Sequence, residues 1–354
     1  IYSGKRVFVT GHTGFKGSWL SSWLDVLGAS VTGYSLEPPT EPNHFDCLAL
    51  DMVSRIADVR SIEELKFAIN EAQPEIIFHL AAQPSVLVSY DDPLETFSTN
   101  VMGVANILEA ARGISSVRAV VVVTTDKCYE NMEIEHSYKE SDRLGGHDPY
   151  SASKACAELV TACFRRSYSA DSATLIASAR AGNVVGGGDW TADRLIPDAV
   201  RSASAGKNMV LRSPNSARPW QHVLEPLSGY LSLGQRLLEG ESELAGAWNF
   251  GPKPDSNLTT REVLALAQSY WPAIRSEEVP QPNAPHEAGL LMVDSSKANQ
   301  LLEWFPVWDL DSTLKKTIEW YRHYYSTHRE ILTALQIEEY CIDANEAGAI
   351  WAKN

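Results

Sequence analysis

The chain has 354 residues, 44% of them apolar and 21% charged, and a net charge of −15. That length gives one large domain or two intimate ones. The acidity excludes nucleic acid and anionic membrane surfaces as partners, because both call for a basic face. A bound anion is still compatible with it, provided Arg, Lys and backbone N–H groups gather locally. Five scattered cysteines (Cys47, Cys128, Cys156, Cys163, Cys341) show no paired metal-ligand spacing. They read as free thiols in a reducing compartment, with no metal. No apolar run reaches membrane-spanning length, and "IYSGKRVFVT" at the start is already a strand. Cytoplasm is the expected location.

The predicted elements alternate. "KRVFVT" (5–10) is a strand, "GFKGSWLSSWLDVLG" a helix ending at Gly28, and "SVTGYS" (30–35) a second strand. Further strands are predicted at "EIIFHLAA" (75–82), "RAVVVVTT" (118–125) and "ATLIASARA" (173–181), with helices over 92–113 and 149–168. Strands this apolar, alternating with helices, imply an α/β fold with a parallel sheet covered on both faces. After about residue 183, Gly, Pro, Trp and Arg crowd together in "VVGGGDW", "RSPNSARPWQH" and "NFGPKPD". The expected division is therefore 1–183 as a nucleotide-binding domain, rejoined by the chain near 220–250. Residues 184–354 form mainly a smaller mixed α/β substrate lobe and a tail with no assignable chemistry.

"VFVTGHTGFKGSWL" places Gly11, Gly14 and Gly17 at three-residue spacing between a strand and a helix. This is the context a dinucleotide-binding loop requires: a tight turn, close backbone approach to a diphosphate, and close helix packing. The acidic residue usual at the end of the second strand is replaced by Ser35, with Glu37 two positions on. No Arg follows directly, so NAD is favoured over its 2′-phosphorylated form. Asp58 is the expected adenine-edge acceptor.

"DPYSASKACAELV" sets Tyr150 and Lys154 one helical turn apart, on one face. A nearby ammonium is expected to lower the phenol from its usual value near 10. In "VVVVTTDKCYEN", a buried strand runs into Thr125 and then an acid and a base, Asp126 and Lys127. Adjacent opposite charges at a strand end are ordinarily a solvated loop, so the pair needs a reason.

The chain resembles the extended short-chain dehydrogenase/reductase family through "TGHTGFKG", "HLAAQ", "TNVMG", "TTDKCY", "YSASK" and "RAGNVVGGGDW". The resemblance implies a Rossmann-type doubly wound parallel sheet and bound NAD. It also implies Tyr150 as catalytic base, Lys154 beside it on the nicotinamide ribose, and Thr125 orienting a sugar hydroxyl. Cofactor contacts are implied for His12, Thr13, Phe15, Lys16, Val59, Leu80, Ala81 and Ala82, along with the glycines, Ser35 and Asp58. Where sugar nucleotide 4,6-dehydratases of this family carry Asp then Glu, this chain has Asp126 then Lys127. With "GHTGFKG" and "RPWQHVLEP", that departure most resembles the 4,6-dehydratase branch acting on CDP-glucose. Asp126 is then the acid that protonates a departing C6 hydroxyl, and Lys127, once neutral, the base that removes the C5 proton.

A nucleotide sugar needs local cations for its diphosphate. Arg194 and Arg218 are the best candidates, Arg212 and His286 weaker ones, each also readable as a structural ion pair. Related enzymes suggest Asn183 as a diphosphate donor and Gln83 and Ser85 as glucose contacts. Trp220 reads as core or as wall of the base pocket. Helices 92–113 and 149–168 are apolar on more than one face, and in resembling proteins they pair between subunits, so a homodimer or homotetramer is expected. A nucleotide-sugar 4-epimerase or reductase, or a non-catalytic NAD-binding regulator, stays open as an alternative.

Overall fold

The computed structural model describes residues 1–168, 173–253, 256–279, 289–327 and 329–353. Seven parallel strands form its central sheet: β1 (Arg6–Thr10), β2 (Ser30–Ser35), β3 (Val53–Ile56), β4 (Ile76–His79), β5 (Ala119–Val123), β6 (Leu175–Ala181) and β7 (Ala247–Phe250). Their order is β3, β2, β1, β4, β5, β6, β7. Winding reverses between β1 and β4, and in such sheets a crevice opens at the carboxyl ends of the strands there. The doubly wound α/β fold expected from the strand–helix alternation is the one observed.

Helices of ten or more residues are α1 (Phe15–Val26), α2 (Ile62–Ala72), α3 (Gly103–Arg112), α4 (Pro149–Ser167), α5 (Leu195–Ser204), α6 (Leu224–Leu238), α7 (Thr260–Tyr270), α8 (Leu310–Ser326) and α9 (Thr333–Glu346). Strand residues alternate between two cores, as a period of two demands. Ala119, Val121 and Val123 join Trp19 and Trp23 of α1 and Leu227 of α6 on one face. Val120 and Val122 join Leu65 of α2 and Ile107 and Leu108 of α3 on the other. The β-branched run suits a strand buried on both sides.

The helix expected over 92–113 is interrupted. Pro93–Phe97 leads into a π turn at Ser98–Met102 before α3 begins. Such a turn re-aims a side chain, commonly at a functional site. Here Asn100 accepts from the Gln83 N–H (2.8 Å) and donates to the Gln83 carbonyl (3.1 Å) and to Ser153 Oγ (2.8 Å). It thereby ties the loop after β4 to α4.

Beyond β6 the chain makes the short strands Met209–Leu211 and Ala217–Pro219, rejoins the sheet through α6 and β7, and then pairs Asn257–Thr259 with Ala217–Pro219 and Ser276–Glu278 with Met209–Leu211. The tail packs back by aromatic contact: Trp190 sits against Trp320, Tyr321 and Tyr324 of α8. Buried Glu225 of α6 accepts from the Val307 and Trp308 N–H groups and the Tyr340 hydroxyl at 2.9, 2.7 and 2.7 Å. Among the described residues no helix is long and apolar enough to cross a membrane.

Candidate active site

A cavity of about 690 Å³ opens at the carboxyl ends of the strands and is walled opposite by α5 and the Met209–Leu211 strand. Gly11, Thr13, Gly14, Phe15, Lys16 and Gly17 form one end of its wall. Gly11 has φ of 74°, and a Cβ there would stand 2.7 Å from the Ala81 nitrogen. A Cβ on Gly17 would stand 2.0 Å from the Gly11 carbonyl oxygen. The cradle therefore exists only for glycine. α1 starts at Gly14 with no capping side chain and no acid in its first turn, which leaves its positive end to an anion. These residues fit a dinucleotide.

Ser35, Glu37, Asp58, Val59, Leu80, Ala81 and Ala82 continue the wall. Ser35 Oγ bonds Thr13 Oγ1 at 2.8 Å, so Glu37 is the acid that the cavity meets after β2. The Asp58 carboxylate is gripped by its neighbour Arg60, whose Nε lies 3.0 and 2.9 Å from the two oxygens.

The acid and base after β5 are not a solvated loop. Asp126–Cys128 is a single 3₁₀ turn, capped by Thr125, and Asp126 is 1% exposed. Asp126 Oδ1 accepts from Thr125 Oγ1 at 3.0 Å, while Oδ2 is buried without a hydrogen-bond partner among the described residues. Thr125, Asp126, Lys127, Tyr150 and Lys154 all line the one cavity. α4 supplies the last two; Asp148 caps its start, accepting from the Ser151 N–H at 2.8 Å. Lys154 is brought down to about 8 by burial, opposed by Glu158 one turn along α4. The expected depression of the phenol is not met by the chain's own groups. Burial pushes Tyr150 up to about 12, although the Thr125 hydroxyl and, further off, Arg194 pull the other way.

The cations gather as expected. Asn183, Arg194, Arg212 and Arg218 all line the cavity. Arg194 pairs with Asp189 at 2.8 Å and Arg212 with Asp193 at 2.7 Å, so each is a structural ion pair that also stands in the cavity wall. Trp220 likewise does both, packing in the core, donating to the Leu258 carbonyl at 2.9 Å and touching the cavity. Lys16 is lowered to about 8, first by burial and then by Arg194.

Three of the expected site residues do not line the cavity. His12 is fully buried away from the cavity, its Nε2 2.7 Å from Ser54 Oγ, and desolvation lowers it to about 4. Gln83 and Ser85 are outside the wall, where Pro84 stands instead. Gln83 donates to Thr96 Oγ1 (2.8 Å) and the Ser85 carbonyl (3.0 Å), and Ser85 caps the next helix; both side chains serve their own loop. His286 lies outside the described residues.

Two groups escaped the sequence reading. Glu158 and Arg180, each 3% exposed, form a buried pair at 2.7 Å behind the site. Glu158 also accepts from Thr124 Oγ1 and, at 2.7 Å, from Ser178 Oγ, and Arg180 donates to Tyr129 Oη at 2.8 Å. Asp189 is the second. The only prior signal for it was an acid five residues before Arg194 in "GDWTADR".

The family described as GDP-mannose 4,6 dehydratase matches residues 8–317. A CDP-glucose 4,6-dehydratase of Salmonella typhimurium is 48% identical over 329 residues, 91% of this chain and 92% of that one. An epimerase structure from Methanothermobacter thermautotrophicus superposes with a TM-score of 0.79 at 24% identity, covering 93% of this chain and 95% of that one. A double mutant of a dTDP-glucose 4,6-dehydratase from Streptomyces venezuelae, with NAD bound, gives 0.76 at 23% identity, covering 90% and 97%. The two structures share the fold; the match along most of the sequence goes further, and by it this chain belongs to the GDP-mannose 4,6 dehydratase family.

Proposed function

We propose that the chain converts CDP-glucose to CDP-4-keto-6-deoxyglucose, using NAD that is not consumed. One observation carries this reading: a buried Asp126 and the adjacent Lys127 share one cavity with Thr125, Tyr150 and Lys154. The 48% identity to a CDP-glucose 4,6-dehydratase supports the substrate. The glycine cradle and the NAD-bound Streptomyces relative support the cofactor.

NAD, held by the glycine cradle, would supply the hydride acceptor for C4 and the hydride donor for C6. Tyr150 takes the O4 proton as C4 becomes a ketone, with Thr125 orienting that oxygen and Lys154 favouring the phenolate. The ketone acidifies C5, and Lys127 removes its proton. Asp126 protonates the C6 oxygen, which leaves as water. Lys127 then returns a proton to C5 as C6 is reduced, and the proton gained by Tyr150 is replaced on Asp126 through solvent, so the sum is the loss of one water. Arg194, Arg218 and Asn183 hold the diphosphate, and Glu37 holds the adenosine ribose in the role that Ser35 cannot fill. A 4-epimerase uses the same C4 chemistry but has no task for an acid and a base at C5 and C6.

Leu94, Met102 and Leu159 are exposed on adjoining helical segments. They support at least a homodimer, checked by sedimentation of a Leu159→Asp variant, which should shift toward monomer. Five free cysteines support a cytoplasmic location.

The test is product analysis with CDP-, dTDP- and UDP-glucose. CDP-glucose should give the 4-keto-6-deoxyhexose chromophore in alkali with catalytic NAD and no net reduced cofactor. Stoichiometric reduced cofactor, or a galactose product, overturns the reading.

A further inference from the structure

Arg194 lines the cavity, and the carboxylate that holds it, Asp189, stands in the same wall and is itself tied to the fold behind it. Asp189 is only 4% exposed, and both its carboxylate oxygens are engaged. Oδ1 accepts from the Thr191 N–H at 3.0 Å and closes a turn; Oδ2 accepts from Arg194 Nη1 at 2.8 Å. The backbone of Asp189 is bracketed in turn by one hydroxyl. Tyr321 Oη of α8 accepts from the Asp189 N–H at 2.9 Å and donates to the Asp189 carbonyl at 2.5 Å.

The preceding residues are equally confined. Trp19 Nε1 of α1 donates to the Gly187 carbonyl at 2.8 Å, and a Cβ on Gly187 would stand 2.0 Å from the Trp320 ring. The segment from Gly187 to Asp189 is thus clamped between α1 and α8 before Arg194 opens α5. The Arg194 side chain remains 35% exposed in the cavity wall, while its partner carboxylate side chain is 5% exposed. A guanidinium offers five N–H donors in a planar fork. Fixing that fork before the ligand arrives removes rotamer entropy that binding would otherwise cost.

We propose that Asp189 is a positioning residue that aims Arg194 at the diphosphate of the nucleotide sugar, and that Tyr321 holds Asp189 in place. This rests on the assignment of Arg194 to that diphosphate made above. A purely structural Asp189 would change stability and leave substrate affinity alone.

The experiment is a double-mutant cycle on the full-length enzyme with CDP-glucose, with NAD affinity measured alongside. Asp189→Asn should raise KM about 10-fold, with kcat and NAD affinity within about twofold of wild type. Arg194→Ala should raise KM at least as much, and adding Asp189→Asn to it should bring no further rise. If Asp189→Asn acts equally with and without Arg194, or a folded Asp189→Asn has wild-type KM, the inference is wrong. If Arg194→Ala itself leaves KM unchanged while product still forms, the diphosphate assignment fails and the dehydratase reading survives. Should Asp189→Asn not fold, Tyr321→Phe decides: a several-fold KM rise, absent in the Arg194→Ala background, upholds the inference, and an unchanged KM overturns it.

Discussion

Asp126 and Gly182 meet at the ends of neighbouring strands: a Cβ on Gly182 would stand 2.7 Å from Asp126 Oδ2 and 2.8 Å from Pro219 Cγ. The chain gives the acid its place by withholding a methyl group from the residue opposite. Gly182→Ala must displace either the carboxyl or the proline, and overpacking of this kind costs about 1–3 kcal/mol. We expect kcat to fall about 10-fold or more, a part of what a general acid contributes, with NAD binding retained. Steady-state kinetics beside a thermal melt checks it; wild-type kcat in a folded variant would show that the contact does not hold the acid.

Lys127→Ala and Asp126→Asn should fail at different steps. On the proposed roles, the lysine variant keeps the groups for C4 oxidation and lacks the base for C5. In a single turnover it should accumulate reduced cofactor and 4-keto-glucose, with solvent deuterium entering C5 slowly. Asp126→Asn should keep C5 exchange and lose departure of the C6 hydroxyl. Elimination by Lys127→Ala at the wild-type rate would place the base elsewhere.

Lys16 and Lys154 give a proton linkage with a definite sign. Both are brought from 10.5 to about 8, chiefly by burial. Between about pH 8 and 10.5 the unfolded chain holds protons that the folded chain has released, so stability without ligand rises with pH across that window. Below about 8 both states are charged, and the penalty is constant. A diphosphate beside Lys16 raises its value, so NAD binding should take up protons near pH 8.5, about half a unit above the Lys16 midpoint, and few near pH 6.5, about one and a half units below it. Calorimetry in buffers of different ionisation heat measures this. Equal uptake at both pH values would remove Lys16 from the diphosphate site.

Glu158→Gln should destabilise the fold strongly. It leaves Arg180 charged, 3% exposed and without its carboxylate, a change that typically costs about 3–5 kcal/mol. Replacing Arg180 by Met in the same chain should recover much of that loss in denaturant unfolding. A single variant as stable as wild type would mean that water or backbone already serves Arg180.

The parts of the site legible in the sequence were those set by short-range geometry. Tyr150 and Lys154 face the same way because a helix turns every 3.6 residues, and Gly11 to Gly17 form a cradle because strand, turn and helix are contiguous. Thr125 to Lys127 follow from where an apolar strand must stop. What failed were side chains with a local competitor: Gln83 and Ser85 bond each other's loop, and His12 turns under Gly33 toward Ser54. What was missed depends on partners far along the chain. Glu158 of α4 finds Arg180 on β6, 22 residues on, and Tyr321 finds Asp189 over a separation of 132 residues. The phenol's direction was misjudged because burial, which no spacing reveals, raises it, and the Asp126 and Asp148 carboxylates push the same way against Thr125 and Arg194.

The clamp on Asp189 also sets an order of birth. The glycine cradle and the first six strands are complete once residue 181 has been made, and the seventh strand once residue 250 has. The hydroxyl that brackets Asp189 belongs to Tyr321 and arrives later still. During synthesis, which proceeds from the amino end at about 5–20 residues per second, the dinucleotide cradle can therefore form seconds before Arg194 is held. A chain interrupted before α8 would lack the Tyr321 hydroxyl and so the clamp that, on the inference above, aims Arg194.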